Sequence, residues 1–369
     1  MTSLVNELND LFMEMEDVFD GIFQWLASQY DKRSGGFYYA QSSIDDEYLS
    51  PDIESTAQAL NILQRNELLD NLPEQMKEQL INFFQKKQDN SSGYFYDVNP
   101  LMKQDEVMVH RALSYAVGSL RRLGASPLYP LPIASEAAPP YVKSIEAYRK
   151  QWDTINFSNS WRGCDRFATS CVYMEEIPEN KQKRFVNEAV QYLLERQNKE
   201  TGLWGEGSLY VQLSGTFKLY TFFSKYQIPF PHKEKIYQSI LTCLRTEHAE
   251  DMCYIRNPID LLSYMDVEIP EKELVEILTI TFENMSKLKR SDGGFSRELQ
   301  GSPPAPNVAQ VKKGEHYPLM PEPVLLGRGK VEGDMNATTQ ATLIRLKCHR
   351  LAGQKVVPIK GSEQFYSYL

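Results

Sequence analysis

Apolar residues recur three and four positions apart along most of the chain, the spacing that lines one face of an α-helix. Met76, Leu80, Phe83 and Phe84 stand at i, i+4, i+7 and i+8. Tyr141, Ile145, Tyr148 and Trp152 form a second stripe, and Phe185, Ala189, Tyr192 and Leu193 a third. Ile236, Ile240 and Leu244, then Leu274, Leu278 and Met285, form two more. Residues 4–29 read as helix too, broken near Glu16 and Asp17. Each stripe predicts a helix with one wet face. After each comes a stretch that is small or apolar on several faces, for example 106–118 and 334–343. Helices with a wet face belong outside and the others inside, because only the second kind tolerates cover all round. No alternating period-two run of useful length occurs, so almost no sheet is expected. Six such pairs predict an all-α fold, an (α/α)6 toroid of six outer/inner helix pairs, formed by a single domain over 1–369. The connection 296–333 holds six prolines and is too long for a passive turn. It reads as a lid or binding loop entering the last inner helix.

A repeated phrase punctuates the pattern. In Gln191–Gly205 an apolar helix ends at Gln197, four polar residues follow, and Gly202-Leu203-Trp204 closes a tight turn. Phe83, Phe84, Gln88, Gly93, Tyr94 and Phe95 repeat it, and Trp25, Leu26, Gln29, Gly35, Gly36 and Phe37 repeat it more loosely. Ser291-Asp292-Gly293-Gly294-Phe295 keeps the glycine turn without the glutamine. Recurrence of one phrase marks one supersecondary unit used several times. Glycine supplies the backbone freedom of the turn, and the aromatic fastens the turn to the preceding helix.

These residues resemble the QW repeat of the terpenoid cyclase and protein prenyltransferase superfamily, whose members are α/α toroids. The resemblance implies the fold and leaves the reaction open. The superfamily's Asp-x-Asp-Asp and Asp-Asp-x-x-Asp motifs are absent; Asp45-Asp46-Glu47 has the wrong pattern. Asp251-Met252-Cys253-Tyr254 resembles the Asp-x-Cys-Tyr zinc motif of the prenyltransferase β subunits. Where that family has its histidine, this chain has Asn336 and Ala337, and His316 in the long loop is the available substitute. Cys348-His349 resembles the zinc pair of lanthionine cyclases but lies late in the last helix. No metal and no cofactor is therefore expected.

Composition narrows the partners. The 369 residues carry a net charge of −9 and no Lys/Arg-rich run, which argues against a nucleic-acid ligand. No apolar run is long enough to span a bilayer, and Met1–Asp10 lacks the features of a signal peptide, so a cytoplasmic protein is expected. The five cysteines lack CxxC spacing and read as reduced thiols. Hydrophobic residues at 42 % supply a large core.

Parallel inner helices would bring their N-termini to one mouth, where backbone N–H groups and helix dipoles favour an anionic or hydrogen-bonding ligand. Polar residues gather at those positions. Asp165, Asp334 and His110 are the candidate acid/base groups. Trp161, Arg162, Arg166, Tyr210, Arg256, Asn257, Asn336, His316 and Tyr317 are the candidate substrate-binding residues. Asp105 and Asp334 also stand where helix N-caps stand, and His110 could equally be a core histidine. Aromatics, carboxylates and arginines together suit a sugar acid. The expected function is a carbohydrate-active hydrolase or lyase acting on an acidic oligosaccharide. The alternatives are a terpenoid cyclase- or prenyltransferase-like enzyme with other catalytic residues, and a non-catalytic binding protein. A polar wall with charged pairs favours the first, and an aromatic, dry one the second.

Overall fold

The computed structural model describes residues 2–305 and 321–369 and is all-α. Fourteen α-helices occur among the described residues: α1 (Thr2–Asp17), α2 (Ile22–Ser28), α3 (Gln41–Ile44), α4 (Ile53–Arg65), α5 (Glu74–Gln85), α6 (Glu106–Arg122) and α7 (Ile145–Trp152). They continue with α8 (Ser160–Ser170), α9 (Glu179–Leu194), α10 (Leu209–Lys225), α11 (Lys233–Thr246), α12 (Met252–Met265), α13 (Glu271–Ser286) and α14 (Met335–Leu351). Extended pairing among these residues is limited to isolated bridges. The break expected near Glu16 and Asp17 lies between α1, which ends at Asp17, and α2, whose N-cap Gly21 turns left-handed (φ 81°). In chain order the pairs α2/α4, α5/α6, α7/α8, α9/α10, α11/α12 and α13/α14 give the element order of an (α/α)6 toroid.

The two helix types are as different in burial as their sequences predict. α9 buries Val186, Ala189, Tyr192 and Leu193 and leaves its other sides wetter. α14 buries an unbroken run from Ala337 to Thr342, threonines included. Contacts group the chain into two compact units, one of Met1–Phe83, His248–Gln310 and Pro323–Leu369, the other of Phe84–Glu247 and Val311–Glu322. In the first, α14 packs between α12 and α4, and α13 packs on α1 and α12. In the second, α8 packs between α6 and α10, and α11 lies on α10. An aromatic cluster fills the second unit: Trp152 meets Phe167 and Tyr192 at 4.9 and 5.2 Å between ring centroids, and Phe167 stacks on Tyr192.

Every inner helix starts on a short polar side chain that accepts from its own first turn. These caps are Asp52, Asp105, Asn159, Ser208, Asp251 and Asp334. Each satisfies an N–H that helix geometry would leave without a partner.

The four glycine turns share one geometry. Gly35, Gly93, Gly202 and Gly293 all have positive φ. Trp204 fastens its turn to α9 by donating from Nε1 to the Leu193 carbonyl at 2.8 Å. The glutamine of the phrase reaches both the turn and the next segment. Gln88 donates to the Gly93 and Tyr129 carbonyls and accepts from Tyr129 N–H; Gln197 donates to the Gly202 and Pro231 carbonyls. The described ends of the long connection are held within the first unit. Ser42 donates to the Glu332 carboxylate, Ser43 to the Leu326 carbonyl, and Asp46 pairs with Arg328. His316 and Tyr317 lie outside the described residues.

Two measurements follow. A Cβ at Gly93 would stand 2.0 Å from the Pro130 carbonyl oxygen, whereas at Gly124, with the same φ of 75°, it would meet nothing within 4 Å. Gly124→Ala should cost about 1 kcal/mol or somewhat more, from backbone strain alone. Gly93→Ala should cost at least about 1–3 kcal/mol more for the clash, read as the difference between two urea midpoints. Equal losses would remove the docking role. The single domain over 1–369 stands as a proposal, and limited proteolysis that releases two independently folded halves would overturn it.

Candidate functional site

Three helices of the second unit converge on one carboxylate. Asp165, in the second turn of α8, has a side chain only 3 % exposed. Its Oδ1 lies 3.3 Å from Lys218 Nζ on α10, and its Oδ2 lies 4.0 Å from Arg111 Nη1 on α6. Lys218 and Arg111 are each about one-sixth exposed, so the charges meet where screening by water is weak. Lys218 also stands 5.6 Å from the centre of the Trp161 ring, and Arg111 donates to the Tyr115 hydroxyl at 3.3 Å. Tyr115 is partly exposed, and Thr169 of α8 donates to the Asp165 backbone carbonyl at 2.7 Å.

Two of the three arginines expected to hold a ligand's acid, Arg162 and Arg166, are engaged by protein carboxylates. Arg162 Nη2 lies 3.0 Å from the Oδ1 of Asp105, the α6 cap, and both are buried. Arg166 pairs with Glu106 at 2.8 Å in a more exposed setting. These pairs tie the first two turns of α8 to the start of α6. Removing one member of the buried pair would leave its partner uncompensated, at a cost of roughly 3–5 kcal/mol. Tyr210 is buried in the first turn of α10, where Leu209 and Tyr210 N–H groups donate to the Glu247 carboxylate. That carboxylate occupies the helix end otherwise offered to an anion.

His110 is not joined to Asp165 by any hydrogen bond or ion pair among the described residues. It is 6 % exposed and meets the edge of Tyr173 at 5.1 Å. Burial pushes its imidazole down to about 4, a neutral ring at physiological pH.

Asp334, Arg256, Asn257 and Asn336 belong to the first unit. Asp334 is fully buried, and both carboxyl oxygens are used. Oδ1 accepts from Ala337 N–H at 2.7 Å, and Oδ2 accepts from Arg297 N–H at 2.8 Å and the Ser302 hydroxyl at 2.7 Å. Burial pushes its carboxyl up to about 6, against the opposing pull of these donors. Asn336 accepts from Gln340 Nε2, which also reaches Cys253 Sγ at 3.4 Å. Asn257 is buried in α12, Arg256 beside it is partly exposed, and one turn on Asp260 pairs with Lys347 of α14 at 3.0 Å. In the zinc-like motif, Asp251 caps Cys253 N–H through Oδ1 and receives Arg297 Nε through Oδ2 at 3.1 Å. A carboxylate holding a guanidinium there is poorly disposed to ligate a cation.

The sequence reading passed over Lys218, Arg111, Glu247 and Arg297. Two of these carry a visible signal. Lys218 is the one charge in α10 before its last residue, and Arg111 interrupts the small, apolar middle of α6. A lone charge inside an inner helix needs a partner from a neighbouring helix.

No protein-family model matches the chain, and no curated protein matches it. The chain is similar to the solved structure of the type II terpene cyclase MstE from Scytonema in its apo form, with 12 % identity and a TM-score of 0.45. The match covers 94 % of this chain and 99 % of that one.

Two buried groups give pH dependences of opposite sign. Asp334 binds its proton more tightly folded than unfolded, so its ionisation costs stability as pH rises from about 4 to about 6. His110 binds its proton less tightly folded, so stability is lost as pH falls from about 6.5 to about 4. The wild-type minus Asp334→Asn difference in unfolding free energy should therefore fall with rising pH over the first window. The wild-type minus His110→Phe difference should rise with pH over the second. Flat differences in urea melts across these windows would refute the assignments.

Proposed function

We propose that this protein is an enzyme acting by acid–base chemistry on a polar, hydroxyl-rich small molecule, with sugars as the leading class. Asp165 is its acid–base carboxylate. The observation that carries the reading is the position of Asp165, a buried carboxylate between Lys218 of α10 and Arg111 of α6. Lys218 and Arg111 hold the carboxylate in place, and Trp161 offers a ring face beside them. In this reading Arg162 and Arg166 fix α8 against α6, since Asp105 and Glu106 engage them. Selection for an acidic group on the sugar thus has less support than selection for hydroxyls.

A second reading is a terpenoid cyclase-like enzyme with other catalytic residues. It is favoured by Asp334, a buried carboxyl raised to about 6, because a proton-donating carboxyl must stay protonated near working pH. The activity named for the Scytonema enzyme belongs to this reading.

The test is a thermal-shift and turnover panel of neutral oligosaccharides, uronate-containing oligosaccharides and prenyl diphosphates. Sugars should stabilise the protein. With the sugar that is turned over, Asp165→Asn should lower turnover ~10²–10⁴-fold. Asp334→Asn should leave turnover within a few-fold once the lost stability is allowed for. If only prenyl diphosphates stabilise the protein and Asp334→Asn abolishes turnover of them, the second reading replaces the first.

A further inference from the structure

A cleft of the second unit is lined by Glu106 and His110 of α6, Gln151 of α7, Arg166 and Ser170 of α8, Tyr141 and Ile155. It leaves room for roughly one water-sized group. We infer that this cleft is a binding site for an uncharged hydroxyl group, with His110, Tyr141 and Gln151 as its hydrogen-bonding partners.

The argument is an accounting of polar groups. A buried polar side chain is normally hydrogen-bonded. His110 is 6 % exposed, yet its ring makes no hydrogen bond among the described residues; its contact with Tyr173 is edge to face. The hydroxyl of Tyr141 and the side-chain amide of Gln151 likewise make none among the described residues. Tyr141 is instead fixed by its ring, against Tyr148 at 5.1 Å and Tyr173 at 6.2 Å. Three polar side chains from three separate segments thus line one small space, none hydrogen-bonded to another described residue; His110 is buried, and Tyr141 and Gln151 are partly exposed.

The same accounting sets the ligand's charge. The two ions at the rim, Glu106 and Arg166, are spent on each other at 2.8 Å. Ser170 is spent too, donating to the Phe167 carbonyl and accepting from Trp152 Nε1. What is left is neutral. Burial keeps the imidazole unprotonated and pushes the Tyr141 phenol well above its ordinary range. A neutral imidazole has one donor and one acceptor nitrogen, a phenol gives and takes one bond, and an amide does both. Together they match a hydroxyl, which also gives and takes. A carboxylate would face the imidazole's acceptor nitrogen and the Glu106 charge; an ammonium would be desolvated with no free anion to meet it. Ile155 supplies an apolar wall for the carbon that bears the hydroxyl.

This inference is independent of the role given to Asp165, and its test does not use activity. The probe is ethylene glycol, titrated into protein labelled with ¹⁵N-histidine and followed by the ring-nitrogen signals. The chain has five histidines, and His110→Phe identifies the relevant pair. Ethylene glycol should move the His110 signals saturably, while acetate and ethylammonium at equal concentration leave them in place. Tyr141→Phe keeps the ring packing and removes one hydrogen bond, so it should weaken the ethylene glycol response about tenfold. Gln151→Leu should do the same. A linear, non-saturating response, equal binding of acetate, or unchanged binding in both Tyr141→Phe and Gln151→Leu would overturn the assignment.

Discussion

The fold depends on a backbone-to-backbone approach that only glycine permits. At the end of the phrase Gln88…Gly93, the chain turns back with positive φ, and the next segment lays the Pro130 carbonyl where a side chain would begin. At Gln197…Gly202 the first turn of α11 takes that place, with Ile236 N 3.1 Å from the position of a Cβ. The glutamine then bonds across the junction to Tyr129 or Pro231, and the aromatic after the glycine is buried beneath. A helix end, a turn and the start of the next element are joined in one contact. Because the turn is short and fully bonded, it sets where the following outer element begins, and so which side of it faces inward.

Close inner packing has an electrostatic consequence. Helices that approach on small residues leave little water between them, so any charge on them must be met by a charge from a neighbour. Arg162 with Asp105, Asp165 with Lys218 and Arg111, and Asp260 with Lys347 are all such meetings. Most fix helix register. Asp165 differs in receiving two cations, from two different helices, one of them beside the Trp161 ring. That surplus of positive charge around one carboxylate gives the site its chemical character.

Residues of the same type have therefore been given different work by position. Asp105, Asp251 and Asp334 begin inner helices and cap the first turn; Asp251 and Asp334 turn their second oxygen to Arg297 or its backbone, whereas Asp105 takes both the Val107 N–H and the Arg162 guanidinium on Oδ1. Asp165 lies within a helix, where the backbone N–H groups are already bonded, and so its oxygens turn to side chains of other helices. His110, one residue before Arg111, meets the edge of the Tyr173 ring.

By itself the sequence determined the helices, their two kinds, their alternation and the turns between them. Periodicity of apolar residues, small-residue runs and the Gln-x4-Gly-x-aromatic phrase are local signals, and local backbone physics reads them directly. It also placed the polar residues at the inner helix starts, since Asp, Asn and Ser cap helices wherever they fold. Only the tertiary structure decided which of those residues have partners. Arg162 and Arg166 look like ligand-holding residues in the sequence, and become structural once Asp105 and Glu106 stand 57 and 60 positions away in the chain but within bonding distance. Lys218, unremarked in an apolar helix, meets Asp165 for the same reason. Hydrogen bonds and ion pairs between distant segments are set by how helices pack. That packing is decided by shape and burial summed over many residues, which no short stretch of sequence carries.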